Sequence, residues 1–337
     1  MKHLVGIAAL FLFACSPAGP TQAEGPKPDL DKPPKGASSG EPIAPELGDA
    51  QAALEAKNCS VAVEKAKAVL AKNPKHGDAH FILGVCADSG FVDLKADKND
   101  EEAATHYKAA LEANPKNTGA AENLSAILVS QKKWDDAISV CKAGLEAIKS
   151  ASPGLHANLG YALAGKGDNA GAVKSWGNAL KLSPDLVDVR LDRAAALAAL
   201  GQKDEAIKDY KAAGTNAKAD STQKRLAAHS LSGLGEHAAC VAVLDGVIVA
   251  KPEPDTLTQR AQCKHKAGDL AGASADLAES IKLKPTLNAH GFGAQWAEQA
   301  KDKKACTHHW TELGKLGAGK AKAEEESKKG LERCKKL

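Results

Sequence analysis

The chain has 337 residues, and 45 Lys and Arg stand against 42 Asp and Glu, for a net charge of +3. A balance this close excludes a strongly basic nucleic-acid binder and a strongly acidic disordered tail as descriptions of the whole chain. Hydrophobic residues make up 43% but aromatics only 4%, so the core has to be built from small residues, largely Ala and Leu. Long runs of Val, Ile and Thr are missing, which argues against a sheet. Eight cysteines are too few for a disulfide-dense mini-fold at this length, but enough to raise the question of export.

The N-terminus reads as an address. A short basic stretch, Met1-Lys2-His3, precedes the apolar run Leu4 to Phe13. That run is too short for a bilayer span, which takes about 20 apolar residues, and fits the core of a secretory signal. It ends in Leu12-Phe13-Ala14-Cys15, followed by Ser16-Pro17-Ala18-Gly19, which resembles a bacterial lipobox. Phe13 departs from that pattern, where small or β-branched residues are commoner. The resemblance implies a lipoprotein signal over 1–14 and lipid attachment at Cys15, and Ser16 in place of Asp favours the outer membrane. The alternative is an ordinary signal peptide cut near Thr21-Gln22-Ala23, with Cys15 incidental. No other segment is apolar enough to span, so the lipid would be the only anchor.

Residues 15–45 read as a tether. Eight of the chain's 15 prolines lie between Ser16 and Pro45. Such a stretch cannot bury enough apolar surface to offset its ordering entropy. Proline biases it toward extended conformations of about 3.1 Å per residue.

From about residue 46 the apolar pattern is helical and self-similar. One phrase has a small residue, a larger one four positions on, an Ala-Leu-like pair and often Pro. It reads Ala103, Tyr107, Ala110, Leu111, Pro115 and again Ala172, Trp176, Ala179, Leu180, Pro184. It returns from Ala62, Ala137, Ala206, Cys240, Ala273 and Ala305, and six of the seven gaps fall between 32 and 35 residues. The remaining gap, 41, predicts seven inserted polar residues around Asp93 to Asp100. A second phrase usually lies twelve residues upstream, as in Leu159-Gly160, Arg193-Ala194 and Phe292-Gly293; Leu83-Gly84 is displaced by seven more. Turn signals such as Gly167-Asp168, Gly201-Gln202 and Gly268-Asp269 separate the phrases.

This pattern resembles the tetratricopeptide repeat, a pair of antiparallel helices of 34 residues. The resemblance implies an all-α fold, a right-handed superhelical solenoid of about eight helix pairs over 46–317. A polar, Lys/Glu-rich capping helix follows over 318–337. It also implies that small residues such as Ala62, Gly84 and Ala103 let helix axes approach without large rings between them.

The repeat orders the cysteines. Cys59 and Cys86 lie near the start of one second helix and the end of the next first helix, and so do Cys240 and Cys263. In antiparallel neighbours those ends meet. The disulfides expected are therefore Cys59–Cys86, Cys240–Cys263 and Cys306–Cys334, the last with the cap helix as partner. Cys141 is left as a small buried residue. The alternative is that all seven are ordinary core residues.

A search for chemistry finds little. His308-His309 beside Cys306 suggests a metal site, but adjacent helical residues point about 100° apart and chelate poorly together, so one inward and one outward histidine is expected. His76 falls in an inter-repeat turn, which removes it from a shared face with His80. There is no HExxH, CxxC or phosphate loop. Gly36-Ala37-Ser38-Ser39-Gly40 matches GxSxG but lies in the tether, without the strand and helix a nucleophile elbow needs. The glycines Gly160, Gly165, Gly167 and Gly171 belong to a helix–turn–helix. No catalytic residue, metal or cofactor is assigned.

In tetratricopeptide repeats, set positions of the first helix commonly face a concave groove. Here they include Asp78, Phe81, Val85 and Asp88; Glu122 and Val129; Tyr161; Asp188 and Leu191; Arg225 and His229; and Gln262, His265 and Lys266. The trend runs from apolar and acidic to basic and polar. The Lys/Asn clamp that some such proteins use on a C-terminal carboxylate is not supported, since Phe81, Glu122, Ala157, Val85, Ala126 and Tyr161 stand at the matching positions. Asn123 and Asn158 fit the general repeat as well as any binding role.

The expectation is a non-enzymatic outer-membrane lipoprotein. Its array would bind a protein or peptide of the cell envelope, in assembly of a secretion, pilus or motility complex. Its membrane contact would run through the N-terminal lipid, with no nucleic acid. The alternative is a soluble periplasmic or secreted module for a small ligand or peptidoglycan. A third reading places an enzyme at the cap, using His308 and His309.

Overall fold

The computed structural model describes residues 45–91, 94, 97–149 and 152–337. Cys15, the signal segment and the tether before Pro45 lie outside the described residues. The described chain is helical throughout, with no strand among the described residues. The described residues divide into two compact units, the first running to Ala206 and the second Ile207–Leu337.

The first unit holds α1 (Pro45–Glu55) with α2 (Cys59–Lys72), α3 (Gly77–Ala87) with α4 (Asp100–Ala113), and α5 (Thr118–Ser130) with α6 (Trp134–Ile148). It continues with α7 (Pro153–Gly165), α8 (Asn169–Leu182) and α9 (Val187–Ala199). The unit boundary falls inside α10 (Lys203–Gly214). The second unit holds α11 (Ser221–Gly233) with α12 (His237–Ala250), α13 (Pro254–Lys266) with α14 (Leu270–Leu283), and α15 (Leu287–Gln299) with α16 (Lys303–Leu316). It ends in α17 (Ala321–Lys335), packed on α16. In each unit a helix packs mainly on the helices before and after it in the chain, which is how a repeat array is held together. No helix among the described residues is long and apolar enough to cross a membrane.

Local chemistry sets the helix ends. Asn58, Asn99, Asn117, Ser152, Asp168, Asp269, Thr286 and Asp302 each accept a bond from a first-turn amide. Asp220 and Gln223 close a full capping box. These contacts satisfy amides that a helix start leaves without partners. The tight turns inside the pairs need a left-handed residue, and Gly167 (φ +86°) and Gly268 (φ +91°) supply it. Lys132 takes the same role at φ +58° without a glycine's freedom.

The core explains the composition. Ala62, Ala66, Ala103, Ala110, Ala137, Ala172 and Ala179 are fully buried, as small residues at helix crossings should be. The glycines act differently from the expectation. A Cβ on Gly84 would lie 2.6 Å from the Tyr107 ring, and one on Gly160 would lie 2.4 Å from Trp176. These glycines make room for a large ring from the partner helix, so rings do lie at those crossings. The few aromatics are therefore concentrated there: Tyr107, Trp176 and Trp310 are fully buried. Cys141 occupies the equivalent place in its own pair and is buried and free.

The insertion lies where its spacing predicted, between α3 and α4, but it is not simply a polar loop. Phe91 and Leu94 are buried in the core of the first unit. Asp100 accepts from the Ser89 amide and hydroxyl, both at 2.9 Å, and the Lys98 ammonium donates to the Cys86 carbonyl. Those bonds pin the loop to the helices on either side.

Candidate interaction surface

The first helix of each pair carries the residues expected to meet a partner. In the first unit, burial removes most of them from reach. Phe81 is 4% exposed, Val85 2%, Tyr161 6% and Leu191 4%. Phe81 packs on Tyr107 with centroids 5.9 Å apart, and the Tyr161 ring meets the edge of Trp176 at 5.4 Å. These four side chains are core, which corrects their assignment to a binding surface. The neighbouring helices close over these positions. Asp78 is buried as well, and desolvation raises its carboxyl above the usual range despite the nearby charge of His76. Asp188 is exposed.

The polar residues of this unit bond to one another. The Tyr107 hydroxyl donates to Asp88 at 2.9 Å and accepts from the Asn123 amide at 3.1 Å. The Asn158 side chain donates to the Glu122 carbonyl at 2.9 Å and to the Ser125 hydroxyl at 2.8 Å. Asn158 thus ties α7 to α5, and Asn123 ties α5 to α4, so both asparagines are structural. Glu122 accepts from the Ser152 hydroxyl at 2.5 Å, and its carboxyl sits where a Cβ on Gly154 would be. Burial pushes Glu122 up, and the Ser152 bond only partly opposes this.

The second unit leaves its expected residues more open. His229 is exposed, and Arg225, Gln262 and His265 are partly exposed. The Gln259 amide donates to the Arg225 carbonyl at 2.8 Å, and the Arg225 guanidinium donates to the Gln259 amide oxygen at 3.5 Å. His265 stacks on Trp296 with centroids 4.3 Å apart and planes 8° apart. Burial lowers the basicity of His265 and, with the charge of Lys266, that of His229. The helix that carries Gln262 and His265 also holds an ion cluster. Asp276 accepts from Arg260 at 2.7 and 2.6 Å and from Lys264 at 2.9 Å, and Arg260 also reaches Asp245 at 2.7 Å.

Three disulfides join the units internally: Cys59 to Cys86, Cys240 to Cys263 and Cys306 to Cys334, with Cα atoms 5.6, 6.1 and 5.8 Å apart. Each links helices adjacent in the chain. At the cap, Glu298 accepts from the Trp310 indole at 2.6 Å and from Arg333 at 2.9 and 3.0 Å. The Arg333 guanidinium also lies over the Trp310 ring.

At the last helix pair, His308 is exposed and His309 half-buried. Burial, with the charges of His290 and His308, holds the His309 ring down to about 4. Sequence reasoning missed His290 as their neighbour, because its place near them depends on how α15 lies against α16.

This is an array of paired helices that presents polar side chains from a rigid apolar framework. The tetratricopeptide repeat model matches residues 47–90, 99–153 and 158–221, and over those stretches the chain is similar to tetratricopeptide repeats. Such arrays are suited to protein–protein interaction.

The chain is 32% identical over 149 residues to Protein FlbA of Caulobacter vibrioides, 44% of this chain and 23% of that protein. It therefore spans about a quarter of that curated relative's length. Among solved structures it is similar to the C-terminal part of a TPR repeat-containing protein of Cytophaga hutchinsonii. That match has a TM-score of 0.56 at 14% identity, over 68% of this chain and 94% of the other. It is also similar to pilF of Pseudomonas aeruginosa, with a TM-score of 0.48 at 16% identity, over 74% of this chain and 96% of the other.

Proposed function

We propose that this is a non-enzymatic scaffold of the bacterial envelope, held to the outer membrane by lipid on Cys15 and binding a protein or peptide partner through its repeats. The observation that carries the exported location is the pairing of six cysteines into disulfides between successive helices. Cross-links of this kind persist in oxidising compartments and are rare in the cytosol. The lipobox-like Ala14-Cys15 and the proline-rich tether support the anchor. A tether of 30 residues would hold the array up to about 90 Å from the surface.

The partner meets the polar side chains left accessible, chiefly Arg225, His229, Gln262 and His265 in the second unit, rather than the buried Phe81 and Tyr161. Basic and amide groups of this kind suit an acidic or carbonyl-rich peptide. Assembly of a secretion, pilus or motility complex is the role this architecture fits. The alternative is a soluble periplasmic module for a small ligand or peptidoglycan.

Metabolic labelling with a palmitate analogue separates the two. The anchored scaffold takes up label in the wild type and loses it in Cys15→Ala, which then fractionates with soluble periplasm. An unlabelled, soluble wild type favours the alternative. A photo-crosslinker placed at His229 or Gln262 in intact cells should capture a discrete protein band. Captured glycan with no protein band would support the soluble module.

A further inference from the structure

The second unit gathers three histidines outside the surface described above. His290 comes from α15, and the adjacent His308 and His309 come from α16. His309 stands one residue before Trp310, which fills in α16 the place of Tyr107 in α4 and Trp176 in α8. Its ring packs on Gly293 as those rings pack on Gly84 and Gly160, since a Cβ there would lie 2.7 Å from the imidazole. The glycine thus makes room for the imidazole between α15 and α16. There the His309 Nδ1 lies 3.1 Å from the His290 Nδ1. One ring nitrogen from each of His290, His308 and His309 falls within 4.8 Å of the other two.

We propose that His290, His308 and His309 form a binding site for a divalent transition-metal ion of the zinc, copper or nickel kind. Imidazole nitrogen suits these ions, whereas calcium and magnesium require oxygen. Ligand nitrogens about 2.05 Å from a tetrahedral zinc lie about 3.3 Å apart, close to the 3.1 Å between the two Nδ1 atoms. His290 is buried at 3% exposure, while His308 is exposed. The site is therefore supported from the protein side and open on the other. The charges of Asp302 and Glu312 act on these rings and offset part of a dication's charge.

The nearby Glu298, Cys306 and Cys334 do not compete for the ion. Both sulfurs are in a disulfide, and the carboxylate is engaged by Trp310 and Arg333. Adjacent histidines on one helix chelate poorly alone, and the third ring from α15 removes that objection by closing the set across two helices. Three protein ligands leave a fourth position for water or a side chain of a binding partner.

The test is calorimetric titration of Zn2+ into the full-length, tag-free, disulfide-bonded chain after chelator treatment. The expected result is one ion per chain at micromolar concentration or below, with a rise in the thermal midpoint of the second unit. His308→Gln alters an exposed side chain, so the fold is kept, and should weaken binding about tenfold or more. His290→Gln and His309→Gln should do the same, and His229→Gln should leave binding unchanged. Wild-type protein that takes up no Zn2+, or equal affinity in wild type and His308→Gln, would overturn the site and leave the three rings as packing.

Discussion

Asp88 in the first unit and Asp276 in the second are both buried carboxylates in a helix-pair array, yet their surroundings drive them opposite ways. Desolvation raises Asp88, and bonds from the Gly90 amide and Tyr107 hydroxyl do not overcome it. Desolvation also opposes charge at Asp276, but bonds and charge from Arg260 and Lys264 outweigh it and hold the carboxyl below its usual range. The first unit thus links its interior polar groups chiefly through uncharged side chains, Tyr107, Asn123, Asn158 and Ser152. The second uses an ion cluster and carries two of the three disulfides. The same repeat tolerates both because it requires small residues at the crossings, not one kind of polar pairing.

The largest test of that contrast is at the rings. Trp176→Ala should cost about 3–5 kcal/mol in the first unit. Trp310→Ala should cost at least as much, because Glu298 and Arg333 lose a partner too. Denaturant unfolding with peptide-resolved hydrogen exchange checks both, and a cost under about 1 kcal/mol would show the ring pockets can collapse.

Reduction of the disulfides comes next. With separations of 27, 23 and 28 residues, each is worth about 3 kcal/mol in the chain-entropy model. The second unit should therefore lose about twice what the first loses. Equal loss of exchange protection in the two units would contradict this.

A smaller effect separates the carboxylates. Asp276→Asn should cost about 2 kcal/mol at neutral pH. Because the native carboxyl titrates below its unfolded value near 3.8, its stabilisation is present above that value and lost as pH falls through the lowered one. The penalty of the substitution should fade in step. Glu122 titrates above its unfolded value near 4.5. Its contribution is full below that value and lost as pH rises through the raised one. Glu122→Gln should therefore be at least as stable as wild type at neutral pH and lose that advantage in acid. Parallel pH profiles for the two variants would erase the contrast.

The smallest effect is at the turns. Gly268→Ala, at φ +91°, should cost about 1 kcal/mol, and Lys132→Gly should be neutral or slightly stabilising. Thermal melts of the single variants suffice.

Much of the fold was legible because it is periodic. Spacings of 32 to 35 residues, asparagine and aspartate caps, and turn glycines are local signals, and they placed the helix pairs and the cysteine partners together. The interaction surface was less legible. The first-helix positions of Phe81, Val85, Tyr161 and Leu191 face inward, but whether an inward face is open depends on how closely neighbouring helices pack. Phe91 and Leu94 were missed for a related reason: an insertion of polar composition still carries two apolar anchors, and no periodicity marks them.

The sequence by itself determined that the chain is an all-α repeat array and which cysteines would be neighbours, because helix period, caps and repeat length are written in neighbouring residues. The tertiary structure decided what fills each crossing. A glycine in the first helix of a pair signals space, but which ring takes it, Tyr107 at Gly84, Trp176 at Gly160 or His309 at Gly293, is shown only by the packed helices. They alone bring His290 beside His308 and His309, since contact across two helices depends on their separation and rotation and on the volume of every side chain between them.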